Sequence, residues 1–195
     1  PAVAFFEIYG LSVVLGKNLF ESINQYAGTD AQRTEDLQWA LNDKTIKAII
    51  IARGGYGSVR TIEQIDFTEF KKHPKWMVGY SDVTVLHNAI HKIGVATLHA
   101  TMPLNFTKNE EATKSMINAL FGNVTKIETE ENYSNISGTA KGELVGGNLS
   151  LIYSLSGTPF DIDTTNKILF IEDLDEYLYH IDRIMMQLKL SGKLK

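Results

Sequence analysis

Short β-branched apolar runs alternate along this chain with stretches whose apolar residues recur at helical spacing. Ile46-Lys47-Ala48-Ile49-Ile50-Ile51-Ala52 is nearly continuous, which predicts a strand buried on both faces of a parallel sheet. Trp76-Met77-Val78 predicts a second strand and Val95-Ala96-Thr97-Leu98 a third. Between them, Ile62 and Ile65 mark a short helix. Val83, Leu86, Ala89, Ile90 and Ile93 mark a longer one that stops at Gly94. This βαβαβ order predicts a parallel sheet with right-handed crossovers. Upstream, Val3-Ala4-Phe5-Phe6 reads as the end of a helix, Gly10 as its stop, and Leu11 to Val14 as a short strand. Thr29 and Asp30, followed by Gln32 and Glu35, open a helix with a capping box that turns Leu37 and Leu41 inward. Asn109 caps a further helix with Ala112, Met116, Ile117 and Leu120 on one face and Gly122 at its end.

The texture turns polar after that helix, and Asn132, Asn135, Ser137 and Gly138 predict a linker or an edge hairpin. The expected organisation is a parallel-sheet, flavodoxin-like α/β domain at 1–123, a linker at 124–138, and the start of a smaller, incomplete C-terminal α/β domain at 139–195. In the last part, residues 142–145 read as a strand and Gly146-Gly147-Asn148 as the opening of an apolar helix ending near Gly157. Lys167 to Ile171 reads as a strong strand that delivers Glu172-Asp173-Leu174-Asp175-Glu176 at its carboxyl end. A final helix places Tyr177, Ile181, Ile184, Met185 and Leu188 on one face and stops at Gly192.

Composition narrows the functional classes. Hydrophobic residues make up 44% and charged residues 22%, the balance of a water-facing protein with a sizeable core. A formal net charge of −4, with no basic stripe interleaved with aromatics, argues against a nucleic-acid partner. Without cysteine there is no disulfide framework, thiolate metal site or cysteine nucleophile, which is compatible with a cytoplasmic location. No apolar run approaches the roughly 18 to 20 residues needed to cross a bilayer, and no signal peptide is visible. The chain opens on Pro1, so an upstream segment is expected.

Three candidate motifs follow predicted strands, the edge at which α/β folds bind ligands. Arg53-Gly54-Gly55-Tyr56-Gly57 carries consecutive glycines that let backbone N–H groups approach a ligand, or simply make a tight turn. It lacks the P-loop and dinucleotide spacings. Ser81, in Gly79-Tyr80-Ser81-Asp82-Val83, sits on a strand-to-helix corner. There it can be an exposed nucleophile or a helix cap. Val83 stands where an α/β-hydrolase elbow carries glycine. The third motif is the acidic cluster. One of its carboxylates could orient a histidine, or two could bind a divalent cation, and Glu172 stands apart as the first residue off a buried strand. Asp173, Asp175 and Glu176 read as helix N-terminal acids favoured by the macrodipole. Of five histidines, His87 and His91 lie one helical turn apart without a third ligand, and no spacing nominates a partner for Ser81.

At these residues the chain resembles the LD-carboxypeptidase family of muramoyl-tetrapeptide carboxypeptidases and microcin-immunity relatives. The likeness runs through Ala27-Gly28-Thr29-Asp30, Arg53-Gly54-Gly55-Tyr56-Gly57, Gly79-Tyr80-Ser81-Asp82, Leu98-His99 with Met102-Pro103, Gly146-Gly147-Asn148-Leu149, Gly157-Thr158-Pro159, Ile171-Glu172-Asp173 and Ile181-Asp182-Arg183. The resemblance implies a cofactor-free serine peptidase with a Ser-Glu-His triad that releases D-Ala from a murein tetrapeptide. It implies Ser81 as nucleophile, Glu172 as the residue orienting the histidine, and Gly55 and Asp82 as oxyanion N–H donors. Arg53, Gly54, Tyr56 and Asn148 would contact substrate. A homodimer is also implied, with no metal, nucleic acid or membrane. The family's histidine lies downstream in a Gly-His-Gly context, and its first strand precedes the position of Pro1. The chain is thus expected to be part of a longer protein. His180 stands where the family pattern carries arginine.

Overall fold

The computed structural model describes residues 2–123 and 126–195. Its first half alternates strand and helix as the hydrophobic pattern predicts. Strands β1 (Ala48–Ile50), β2 (Trp76–Gly79) and β3 (Leu98–His99) form a parallel sheet in the order β1-β2-β3. Consecutive β2 residues point to opposite faces. Met77 enters a core with Leu41, Phe70, Val85 and Ile90, whereas Val78 enters one with Phe6, Phe106, Met116 and Ile117. The first face is covered by α2 (Asp30–Asn42), α3 (Ser58–Thr61), α4 (Thr68–Lys72) and α5 (Thr84–Lys92). The second is covered by α1 (Ala2–Ile8) and α6 (Glu110–Leu120). The capping box forms between Thr29 and Gln32, and Asn109 caps α6.

Burial corrects two of the strand expectations. β1 is only half-buried, because β2 holds the centre of the sheet. Residues 11–14 form no strand: Leu11 and Val13 pack on the Phe6 core without a ladder partner.

Residues 126–139 are exposed and carry no regular element, so the hairpin alternative is not seen there. The first two positions of the expected linker, Val124 and Thr125, lie outside the described residues. Beyond it, β4 (Glu143–Asn148) and β5 (Lys167–Glu172) pair in parallel. α7 (Leu149–Ser154) and α8 (Leu178–Leu190) pack over Val145, Ile152 and Ile184. Gly146 and Gly147 therefore belong to β4 and do not open the helix, which Asn148 caps. The cause is packing. A side chain on Gly146 would overlap the Phe170 carbonyl across the ladder, and one on Gly147 would reach 2.5 Å from Thr84 Oγ1.

Candidate active site

β2 hands the chain to Ser81, which opens a 3₁₀ turn over Ser81–Val83 that runs into α5. Ser81 has φ +61°, the left-handed region that costs an L-residue roughly 1–2 kcal/mol. Such conformations persist where the surroundings over-determine them, commonly at functional sites. Here the surroundings do so. A Cβ on Gly79 would lie 2.8 Å from Val83 Cγ2, so only glycine admits the tight corner. The Gly79 carbonyl accepts from Ala100 N at 3.1 Å and from His87 Nε2 at 2.9 Å. His87 is buried, and desolvation lowers its pKa to about 4, so near neutral pH it is the uncharged ring whose Nε2–H donates. The buried Asp82 carboxylate accepts from Ser58 N at 2.9 Å, tying the corner to α3.

The glycine loop lies against this corner. A Cβ on Gly54 would be 3.1 Å from Ser81 Cβ and 3.2 Å from Oγ, so the loop backbone runs directly beside the hydroxyl. Gly55 follows at φ +138° and is exposed, and among the described residues its N–H donates to no protein group. The far end of the loop is braced: Gly57 leaves space for the Arg33 guanidinium. Arg33 and Arg60 both pair with Asp30, and both lie over the Tyr26 ring, at 5.3 and 5.5 Å. Tyr56 packs 6.0 Å from the same ring. Arg53 and Tyr56 are exposed.

The second strand pair brings its own carboxyl end to α5. Asn148 and Glu172 are partners in the last rung of the β4–β5 ladder. Asn148 N donates to Thr84 Oγ1 at 2.9 Å in a buried contact three residues after Ser81. The Asn148 side chain is committed locally: Oδ1 accepts from Leu151 N and Nδ2 donates to Asp173. Glu172 is half-buried. Burial first, and the neighbouring Asp173 charge second, push its carboxyl above the usual range. Asp173 behaves oppositely. Burial raises it, but donation from Ser150, Leu174 and Asn148 outweighs that and leaves it low. Asp173 thus serves the start of α7, not that of the final helix as the sequence suggests. Glu176 accepts from Ser150 Oγ and pairs with His180, whose ring packs edge-on to Tyr153.

His99 is the residue that sequence spacing does not nominate. The ladder pairs it with Gly79, and docking of β5 sets its Nε2 3.9 Å from Glu172 Oε1. Its ring stands edge-on to Phe170 at 5.1 Å and 5.9 Å from the His87 ring. Only its place after a strand, on the same edge as Ser81, hinted at this. His91 pairs with Glu143 at 2.5 Å. Among the described residues no histidine hydrogen-bonds Ser81, and no group of three His, Cys, Asp or Glu is placed to hold a metal.

Comparison with known proteins adds identity to this geometry. The LD-carboxypeptidase N-terminal domain matches residues 1–100, and the LD-carboxypeptidase C-terminal domain matches residues 141–195. A probable murein peptide carboxypeptidase of Bacillus subtilis is 45% identical, over 99% of this chain and 63% of its own. The crystal structure of a muramoyltetrapeptide carboxypeptidase from Oxalobacter formigenes is similar with a TM-score of 0.83 and 29% identity, covering 100% of this chain and 67% of that one. An MccF-like protein from Bacillus anthracis gives a TM-score of 0.83 at 27% identity, over 97% and 67% of the two chains. The chain spans about three fifths of the length of the curated relatives it matches. No helix among the described residues is long and apolar enough to cross a membrane.

Proposed function

The chain belongs to the LD-carboxypeptidase family, and from that premise we propose that it is a serine carboxypeptidase releasing D-Ala from murein tetrapeptides during cell-wall recycling. Ser81 Oγ attacks the carbonyl of the LD-peptide bond and passes its proton to a histidine; the C–N bond then breaks, the histidine gives that proton to the departing D-Ala amine, and water hydrolyses the acyl-enzyme ester. The N–H groups of Gly55 and Asp82 stabilise the oxyanion, a contribution of roughly 3–4 kcal/mol per donor. Glu172 orients the histidine, which the family pattern places beyond residue 195. Arg53, Gly54 and Tyr56 lie along the substrate path. Asn148, its side chain engaged with Asp173 and α7, contributes by holding the floor of the site. The observation that carries this reading is the Ser81 corner: a left-handed serine after a buried strand, with the Gly54 backbone pressed against it.

The test uses the full-length protein with tetrapeptides carrying L-Lys or diaminopimelate before D-Ala, and follows D-Ala release. Ser81→Ala is expected to lower the rate by at least about 10⁴-fold; release at the wild-type rate would remove Ser81 from the mechanism. The MccF-like neighbour favours one second reading, a peptidase acting on a peptide-nucleotide antibiotic, and turnover of the two substrate types side by side separates them. A non-catalytic binding module predicts neither turnover. The remaining parts of the proposal are a cytoplasmic location and a homodimer, the latter checked by sedimentation of the full-length protein.

A further inference from the structure

We propose that His99 is a positioning residue that donates from Nε2 to Glu172 Oε1, holding one carboxylate oxygen so that the other is left for the histidine of the triad. Glu172 Oε1 is buried and makes no hydrogen bond to another protein group, and it is the oxygen that faces His99. At 3.9 Å the pair is about 1 Å beyond a direct N–H···O bond, a gap that a small side-chain rotation closes. His99 Nδ1 is also buried without a partner. A neutral ring has one donor and one acceptor, and leaving a lone pair unmatched is the milder choice, so the carboxylate selects the Nε2–H tautomer. Desolvation keeps His99 neutral near pH 7 by lowering its pKa.

The ring has packing neighbours other than Glu172. Phe170 stands edge-on to it from β5, Tyr80 lies 6.1 Å away beside Ser81, and His87 lies 5.9 Å away on α5. His99 is therefore placed by its own ladder pairing with Gly79, and it meets Glu172 only when the two strand pairs are docked.

The groups facing Glu172 fix the sign of its pH response. Burial and Asp173, the next residue in the chain, raise its pKa, and the Asn148 amide on β4 lowers it. His87 stays uncharged over most of the range in which a carboxylate of raised pKa titrates. A donated N–H from His99 stabilises the ionised carboxylate, so removing it must raise the Glu172 titration midpoint further.

The role of Glu172 as triad acid is part of the proposed function, so two readouts are combined. The first needs no turnover: the side-chain carboxyl of Glu172 is titrated by carbon-13 NMR in full-length protein carrying His99, His99→Gln or His99→Leu. The midpoint is expected to rise by about one pH unit in His99→Leu, and to stay within about 0.3 unit in His99→Gln, which keeps a side-chain N–H. Equal midpoints in all three proteins overturn the inference. The second readout is D-Ala release. His99→Leu is expected to lower kcat about 10-fold with KM changed less than 2-fold, its acidic limb moving to higher pH, and His99→Gln to recover most of kcat. If both variants lose as much as Ser81→Ala, His99 is itself the base and the positioning role is wrong. If wild type releases no D-Ala, the peptidase reading fails and the NMR midpoints still decide the contact.

Discussion

The two strand ends that meet at this site are held in different ways. On the Ser81 side, β2 is buried on both faces, Met77 and Val78 being fully enclosed, and the corner is fastened through Gly79, His87, Asp82 and Ser58. On the Glu172 side, β5 belongs to a two-stranded sheet with Leu144, Ile168, Phe170 and Ile171 exposed. Glu172 there depends on contacts from outside its own sheet. The serine is set by the fold of its own half, while the carboxylate is set by docking through Thr84 and His99.

Each strand end can be perturbed separately. The largest effect expected is Glu172→Gln, which keeps shape and removes charge; it should lower kcat about 10³–10⁴-fold with Tm little changed, by steady-state kinetics and calorimetry. Next, Gly146→Ala forces a methyl onto the Phe170 carbonyl. A loss of about 3 kcal/mol or more in denaturant unfolding is expected, with β4–β5 opening first in hydrogen exchange. Thr84→Val leaves the buried Asn148 N–H without an acceptor. It should cost about 1–3 kcal/mol and lower kcat more than KM, whereas Thr84→Ser retains both. Ser81→Gly relieves the left-handed strain and should raise stability by about 1 kcal/mol while abolishing turnover. The smallest effect belongs to Glu143→Gln at the exposed rim, where loss of the His91 pair should change stability by less than about 1 kcal/mol. A larger loss there would mean that the second strand pair is fixed by its rim and not by Thr84.

What could be read from the sequence follows the range of the forces involved. The β1, β2 and β5 runs, the Thr29 and Asn109 caps and the Ser81 corner are local, and each was legible in a few consecutive residues. Gly146-Gly147 reads as a helix start in the sequence because the cause of its strand is remote: the Phe170 carbonyl and Thr84 hydroxyl occupy the space a side chain would need. Leu11 to Val14 looked like a strand because alternation speaks of faces and not of ladder partners. His99 is not legible as a neighbour of Glu172 because separate registers must be known together, that of β3 on β2 and that of β5 on β4, with β4 docked against α5 through Thr84.

α5 also bears on the continuity of the chain. The helix follows Ser81, yet Leu155 is buried in the same core as Val85 and Ile90, and Lys92 Nζ donates to the Pro159 carbonyl at 2.6 Å. The exposed 126–139 stretch contributes none of this surface. A peptide bond hydrolysed within it severs the backbone but not the buried contact, so the nicked protein should migrate as one species in native gels and as two pieces only after denaturation. Cohesion here resides in a shared helix, and the covalent tether is the dispensable part.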